Sequence, residues 1–145
     1  ILDEERKIDR KKLRDIVISD SEMLYRLNNI IHPVLIDKLV SLKKHFLTKE
    51  YSLIIYDFAL LYELKQEYLF DIIVVVYSTR TQQIERLTRD RHLTEKEAEQ
   101  MVEFQLPVEH KKEKADYLID NTGSIEKTIT QAEELFKYIQ IHTLF

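Results

Sequence analysis

Hydrophobic residues in the first fifty positions recur every three or four residues, a spacing typical of one face of an α-helix. Asp9, and either Ser19 or Asp20, stand where a side-chain oxygen can cap a helix N-terminus. Pro33 suits the first turn of a helix, because that position needs no main-chain N–H. The pattern predicts three short helices, over residues 10–17, from 19 or 20 to about 31, and from 33 through 46.

After residue 50 the hydrophobic positions form continuous runs instead of a helical stripe. Runs of this kind indicate strands buried on both faces, as in a parallel sheet covered by helices. Thr94 and Glu97 form a capping-box pattern at the start of one intervening helix. Three strands are predicted, over 53–56, 72–77 and 117–119, with helices over 81–91 and 95–106 and a long one after Ser124. We therefore predict a helical block, residues 1–50, followed by an α/β portion, residues 51–145.

Polar residues follow each predicted strand. Open parallel sheets bind ligands at the carboxyl ends of their strands, which makes Asp57 and residues 78–80 and 120–122 the predicted functional edge. Asp57 could orient a magnesium ion or a hydroxyl beside a phosphate, or it could simply end a strand and cap the next helix. Residues 120–123 could form an adenine-binding corner or an ordinary turn, since Asn121 and Gly123 tolerate positive φ.

Arginines are concentrated in the helix predicted over 81–91 and just before it. Their planar, permanently charged guanidinium groups suit a phosphoryl group, whose oxygens they can bind while charge develops during transfer. The pattern alone favours a solvated helix face paired with Glu85, Asp90 and Glu95. The residues concerned are Arg80, Arg86, Arg89 and Arg91.

Histidines and lysines give weaker signals. His32 precedes Pro33 and is interpreted from this pattern as a packed, structural residue. The five histidines lack the H-E-x-x-H spacing of a zinc site. A basic patch before the third predicted strand is interpreted as a solvated loop and comprises Lys111, Lys112 and Lys114.

Composition narrows the class of protein. Among 145 residues, 22 Lys and Arg stand against 26 Asp and Glu, and this net charge of −4 argues against nucleic-acid binding through a basic face. The lack of cysteine excludes disulfides and thiolate chemistry. No apolar run approaches the ~20 residues that span a bilayer, so we expect a soluble, cytoplasmic protein without a membrane partner. The single glycine, Gly123, excludes a glycine-rich phosphate loop within this sequence.

Taken in order, several segments resemble dephospho-CoA kinase, a family of P-loop enzymes that phosphorylate the 3′-hydroxyl of dephospho-CoA with ATP. The resemblance covers nearly the whole chain. Its most specific parts are Leu27-Asn28-x-x-x-His32-Pro33 and Ala115-Asp116-x-x-Ile119-Asp120-Asn121-x-Gly123. The other matching pieces are residues 8–13, 60–63 and 70–75, Gln83 with Arg86-Leu87, Leu93-Thr94, residues 105–107, and Lys111.

The resemblance implies a three-layer, P-loop kinase-like α/β fold with a parallel sheet. Residues 1–50 would then be a helical CoA-binding region, and residues 86–112 a helical lid that closes over ATP. Arg86 would be the phosphate-facing arginine of the lid, Asp57 a second catalytic candidate, and Asn121 and Gly123 would lie against the adenine. Substrate-binding residues would be His32, Leu61, Glu63, Gln105 and Lys111. ATP would be the co-substrate, and the ligands of Mg²⁺ would lie mainly outside this sequence.

The same resemblance implies an incomplete sheet. Similar kinases order their strands 2-3-1-4-5, and the strands predicted here correspond to the third, fourth and fifth. The first strand, with its P-loop, would lie between residues 53–56 and 72–77 and would pair backbone groups that are otherwise unsatisfied. We therefore expect these 145 residues to be the C-terminal part of a longer polypeptide and to be inactive alone. Their partner would be the missing N-terminal segment of the same polypeptide. Ala59, Asp90 and His92 depart from the family pattern.

Two other functions fit the same residues. One is a related nucleoside or nucleotide kinase with a different acceptor. The other is a degenerate, non-catalytic module that binds a partner through its exposed sheet edge.

Overall fold

The computed structural model describes residues 1–49 and 51–143, with side chains as far as Ile141. It divides into two compact units, Ile1–Ile54 and Ile55–Phe145. In the described part of the chain, no helix has the length and apolar character needed to cross a bilayer.

The first unit consists of two helices, α1 (Arg10–Ser19) and α2 (Ser21–Leu47). The predicted caps are confirmed. Asp9 accepts hydrogen bonds from the main-chain N–H groups of Lys11 and Lys12 at the start of α1, and Asp20 caps α2 in the same way. Such a side chain satisfies N–H groups that have no partner within the helix. Leu39 of α2 is the buried residue of this unit.

The prediction of a separate helix beginning at Pro33 is wrong, because Pro33 lies inside the continuous helix α2. A proline has no N–H, so the Asn29 carbonyl loses its main-chain partner, at a cost of about 3 kcal/mol. Breaking the helix would cost more, because hydrophobic side chains on both sides of the proline are partly or fully buried and each contributes about 1.5–3 kcal/mol when fully buried. They include Leu24, Leu27, Leu35, Ile36 and Leu39.

The second unit contains a parallel pair of strands, β1 (Val74–Tyr77) and β2 (Tyr117–Asp120). In the pairing register Val74 lies opposite Tyr117 and Tyr77 lies opposite Asp120. Helices α3 (Arg80–Arg91), α4 (Glu95–Glu103), α5 (Val108–Glu113) and α6 (Ile125–Thr143) accompany this small sheet. The core combines strand residues Val75 and Ile119, helix residues Ala98 and Leu135, and Tyr62 and Leu93 from outside the helices and strands. The predicted α/β class with a parallel sheet is confirmed.

The strand predicted over residues 53–56 is wrong, because this segment is irregular. A strand needs a neighbour to pair its N–H and C=O groups, and within the described residues β1 pairs with β2 alone. Ile55 is 82% exposed and Val76 of β1 is 56% exposed, so hydrophobic side chains that suit a buried sheet meet solvent. Residues 53–56 are largely apolar, but no strand of the described residues pairs with them.

The region after α4 also differs from the prediction. Helix α4 ends at Glu103 instead of residue 106, and residues predicted as a solvated loop form α5. The Leu106 N–H donates to the Glu63 side chain at 3.1 Å instead of to a helical carbonyl, and Pro107 has no N–H to continue the helix. Both features end α4 and allow a new helix to begin at Val108.

Candidate functional site

The carboxyl ends of β1 and β2 lie side by side. The Asn121 N–H donates to the Tyr77 carbonyl at 2.8 Å, continuing the parallel pairing beyond the strands. Residues 78–80 and 120–122 therefore meet at one edge, as predicted. Asp57 is exposed in the irregular segment 53–57, so the strand that would have carried it to this edge does not form.

The loop after β2 is held by two side chains of α3. Arg86 donates from Nη2 to the Asn121 carbonyl at 2.8 Å, and Gln82 donates from Nε2 to the Thr122 carbonyl at 2.8 Å. The predicted phosphate arginine and the predicted adenine loop are thus brought together. Arg86 uses one of its five N–H donors in this contact.

A second set of contacts fixes the same loop from within and from α6. Hydrogen bonds from Thr122, together with the charge of Lys112, lower the pKa of Asp120, and the Thr122 N–H donates to its Oδ1 at 2.9 Å. Thr128 donates from its hydroxyl to Asn121 Oδ1 at 3.0 Å. Gln131 both donates to the Asp120 carbonyl and accepts from the Asp120 N–H, each at 2.9 Å. Side-chain hydrogen bonds from α6 and from within the loop therefore hold residues 120–122 in place.

Gly123 does not owe its place to positive φ. No glycine of the described chain lies in that region, and the φ-based reasoning for residues 120–123 is therefore wrong. A Cβ added at Gly123 would lie 3.4 Å from Cδ of Lys127, an ordinary contact with the flexible end of a side chain. The described residues therefore leave room for a Cβ at this position.

A cleft of about 300 Å³ opens beside this loop. It is formed by the residue after β1, by one side of α3, by the end of α4 and by the residue that precedes Leu106. The lining residues are Ser78, Gln83, Arg86, Leu87, Met101, Val102 and Gln105. Two of the predicted functional residues, Arg86 and Gln105, therefore face the same space.

A buried ion pair lies next to Gln105. Lys111 Nζ is 2.6 Å from Glu63 Oε1, and the two side chains are only 12% and 15% exposed. The same ammonium donates to the Ala59 carbonyl at 3.3 Å and to Gln105 Oε1 at 3.4 Å. The structure therefore gathers Glu63, Gln105 and Lys111, three of the predicted substrate-binding residues, into one group, here called the lysine cluster.

One acceptor of the lysine cluster is unused. Glu63 Oε2 is buried and has no hydrogen-bond partner among the described residues. An unpaired buried oxygen is costly, about 1–3 kcal/mol, unless a ligand or water supplies a donor. Leu61 is half-buried two residues before Glu63, in the same turn. The fifth predicted residue, His32, is half-buried on α2 of the first unit.

The prediction of a solvated loop for the basic patch is correct in exposure for Lys112 and Lys114, but wrong for Lys111 and for the conformation, which is largely helical. Lys111 is in the buried pair, Lys112 lies with its Nζ 4.8 Å from the centre of the Tyr77 ring, and Lys114 lies 5.9 Å from that of Tyr62. An ammonium over an aromatic face is attracted by the negative ring face. Helix α5 thus places Lys111 against Glu63, a contact that the one-dimensional pattern cannot show.

Two of the other three arginines, Arg80 and Arg89, form surface ion pairs, and Arg91 is exposed. Arg80 donates to Glu103 at 3.1 Å, and Arg89 makes two bonds to Asp90 at 2.7 and 3.0 Å. The hydrogen bond between Arg89 and Asp90 lowers the pKa of Asp90 and raises the pKa of Arg89. The solvated-face interpretation is correct for these two, although of the partners named for it the structure pairs Asp90 alone.

Several site residues escaped sequence reasoning. Gln82 had a detectable signal, because it follows Thr79 by three residues in the capping-box pattern that the structure contains. Thr128 and Gln131 had none, since their contacts depend on how α6 returns past the end of β2.

The described side chains contain no cluster suited to a metal ion. Throughout residues 1–49 and 51–141, no group of three or more His, Asp or Glu side chains converges in a way that could hold a cation. These residues therefore do not fit a Mg²⁺ site by themselves.

Comparisons with known proteins identify one family. A family model described as dephospho-CoA kinase matches residues 1–127. The chain is 35% identical to the dephospho-CoA kinase of Listeria monocytogenes serotype 4b over 130 residues, which cover 90% of this chain and 65% of that protein. It is 39% identical to the dephospho-CoA kinase of Aquifex aeolicus over 137 residues, 94% of this chain and 68% of that protein.

Among solved structures, the crystal structure of TT1252 from Thermus thermophilus has a similar fold. The TM-score is 0.70 at 24% sequence identity, with 95% of this chain and 70% of that one covered. The chain thus spans about two thirds of the length of the curated relatives it matches.

Proposed function

This chain belongs to the dephospho-CoA kinase family, and we propose that it serves the ATP-dependent phosphorylation of the 3′-hydroxyl of dephospho-CoA, the last step of coenzyme A biosynthesis. The observation that carries the proposal is the cleft beside the carboxyl ends of the strands. Arg86 lines this cleft and is bonded to the loop that follows β2, so a cationic group and a loop at the ligand-binding edge of the sheet are adjacent.

On the nucleotide side, Asn121 and Gly123 would lie against the adenine of ATP. The room for a Cβ at Gly123 supports this role, because the protein alone does not require glycine there. Arg86 would bind the phosphates with the donors that the Asn121 carbonyl leaves unused. Its charge would then offset the negative charge that develops on the oxygens during transfer.

On the acceptor side, we assign the lysine cluster and Leu61 to dephospho-CoA binding. Glu63 Oε2 is a buried acceptor that a hydroxyl or amide N–H of the substrate would satisfy. Gln105 both belongs to this cluster and lines the cleft, so it would connect the acceptor to the reacting end of ATP. The helical region of residues 1–50, with His32, would hold the remainder of the CoA moiety, and Asp57 remains a second catalytic candidate.

Residues 86–112 would form the lid over ATP. They comprise the second half of α3, all of α4 and most of α5. Closure would exclude water, so that the sugar hydroxyl rather than solvent attacks the γ-phosphate. We also propose that the protein acts in the cytoplasm, as its charged, cysteine-free composition predicts.

The proposal includes a further strand beside β1, carried by sequence outside these 145 residues together with the phosphate loop and the ligands of Mg²⁺. Support comes from the exposure of Val76 and Ile55 and from the greater length of the relatives. Such a strand would pair the free edge of β1 and cover these side chains.

The test compares two proteins, the 145-residue chain and the same chain extended upstream in its natural reading frame. Each is assayed with ATP and Mg²⁺ on dephospho-CoA and, in parallel, on nucleoside monophosphates. We expect the extended protein to phosphorylate dephospho-CoA and the 145-residue chain to have negligible activity.

Three outcomes would contradict the proposal in different ways. Turnover by the 145-residue chain would remove the need for a further strand. Phosphorylation of a nucleoside monophosphate but not of dephospho-CoA would identify a kinase with another acceptor. A folded, extended protein that binds neither ATP nor CoA compounds would be a non-catalytic module.

A further inference from the structure

We infer that Gln82 is a positioning residue that sets the orientation of the loop after β2 and thereby its selectivity for adenine over guanine. This inference rests on the proposed function, in which Asn121 and Gly123 lie against the base. Gln82 itself would not touch the nucleotide.

Both ends of the Gln82 amide are fixed. Its Oε1 accepts from the main-chain N–H and the hydroxyl of Thr79, at 3.2 and 3.3 Å. Its Nε2 donates to the Thr122 carbonyl at 2.8 Å. A single half-buried side chain therefore ties the turn after β1 to the loop after β2, across the two strand ends where the ligand would lie.

These bonds determine where the N–H groups of the loop point. No peptide bond in the described chain is cis, and in a planar trans peptide the C=O and the following N–H point in opposite directions. Because the Thr122 carbonyl faces Gln82, the Gly123 N–H faces away from α3. Arg86 fixes the peptide between Asn121 and Thr122 in the same manner, by donating to the Asn121 carbonyl. The Thr122 N–H of that peptide donates to Asp120 Oδ1.

A donor in that position discriminates between purines. N1 of adenine is an acceptor, whereas N1 of guanine carries a hydrogen. If the base that lies against Gly123 is adenine, its N1 would accept a hydrogen bond from the Gly123 N–H. If the base is guanine, its N1–H and the Gly123 N–H would be two donors facing each other. Sites built around a specific hydrogen bond reject the mismatched ligand because a buried polar group is left unpaired.

Gln82 could serve only as a helix cap, through its bonds to Thr79, without any role in positioning the loop after β2. One substitution separates the capping role from the positioning role. Gln82→Glu keeps an acceptor oxygen for Thr79, since Glu also serves in a capping box. It replaces the Nε2 donor with a carboxylate oxygen opposite the Thr122 carbonyl. Thr81→Glu is the matched control, because it adds the same charge at the neighbouring, exposed position of α3.

The experiment uses the upstream-extended protein and its two variants. We measure Kd for ATP and for GTP by titration calorimetry, KM for ATP and dephospho-CoA, and Tm. For Gln82→Glu we expect Kd and KM for ATP to rise about tenfold, the ATP-over-GTP preference to shrink by a similar factor, and KM for dephospho-CoA to stay unchanged. Thr81→Glu should match the wild-type protein.

An unchanged ATP-over-GTP preference in folded Gln82→Glu would overturn the inference. Gln82→Met, which removes the Nε2 donor without adding charge, repeats the binding test if Gln82→Glu does not fold. A wild-type protein that binds ATP but does not phosphorylate dephospho-CoA would overturn the proposed function alone, because the preference is still read from binding. A wild-type protein that binds no nucleotide would overturn both.

Discussion

His92 ends α3 in the left-handed region, with φ 53° and ψ 35°. A residue with a Cβ costs energy there, and glycine is the usual occupant of this position after a helix. The departure of His92 from the family resemblance is therefore visible as backbone strain at the point where α3 leaves for α4.

We expect His92→Gly to raise the free energy of unfolding by about 0.5–1 kcal/mol. This gain is the relief of the energy that a Cβ costs in the left-handed region, minus the conformational entropy that glycine loses on folding. Thermal and urea unfolding would measure this change. His92→Ala is the control, because alanine keeps the Cβ and should give no gain. Equal stabilisation by both substitutions would locate the effect in the imidazole rather than in the backbone.

Gly123 allows a direct test of the adenine contact. The structure accommodates a Cβ at this position, so Gly123→Ala should leave Tm within a few degrees of wild type. If the base lies against the loop, the added methyl should weaken ATP binding by about tenfold or more, as measured by titration calorimetry. The double variant Gly123→Ala/Lys127→Ala removes the protein atom nearest the new methyl. Recovery of ATP affinity in that double variant would show that crowding of Lys127, not of the base, caused the loss.

At the scale of elements, the Glu63–Lys111 pair joins α5 to the turn that contains residues 59–65. Removing one partner leaves a largely buried, uncompensated charge. We expect Glu63→Gln and Lys111→Met each to lower the free energy of unfolding by about 3 kcal/mol, the lower end of the range for buried pairs because both side chains keep some exposure.

The corresponding double variant is the control for that pair. We expect it to be clearly more stable than the sum of the two single effects predicts, since no unpaired charge remains. Denaturant titrations of all four proteins give the coupling energy. Additive losses would mean that the contact contributes nothing as a pair.

Two of the four arginines of helix α3 differ in their surroundings. Arg86 reaches the loop after β2 and lines the cleft, whereas Arg80 pairs with Glu103 at the surface. Lysine keeps the charge but not the planar, multi-donor geometry. In the upstream-extended protein we expect Arg86→Lys to reduce kcat/KM for ATP by about 100-fold or more, and Arg80→Lys to change it less than about twofold. Similar small effects of both substitutions would remove Arg86 from the phosphate site.

At the scale of the whole molecule, β1 is paired on one edge within the described chain. If a further strand pairs its other edge, the amides of residues 74–77 should exchange with solvent at least about tenfold more slowly in the upstream-extended protein than in the 145-residue chain. Hydrogen exchange followed by mass spectrometry measures this. Peptides from α1, which is a local helix, serve as the internal reference. Equal rates in β1 would mean that no strand is added there.

Local features of this protein could be predicted from the sequence. The caps at Asp9, Asp20 and Thr94, and the strands now seen as β1 and β2, depend on neighbouring residues and on periodicity. Family resemblance pointed to Arg86, Asn121, Glu63, Gln105 and Lys111, and the structure brings these residues into two adjacent groups.

Tertiary structure decided everything that needs a partner distant in the chain. Residues 53–56 have the composition of a strand, but a strand exists only where another strand accepts its hydrogen bonds. Lys111 belongs to a run of lysines with the composition of a solvated patch, yet the fold buries it against the carboxylate of Glu63, while Lys112 and Lys114 remain exposed. The cleft and the bonds of Gln82 and Gln131 likewise arise only when the strand ends meet. Composition and spacing fix the local preferences of a chain, whereas burial and pairing depend on which distant residues the fold makes neighbours.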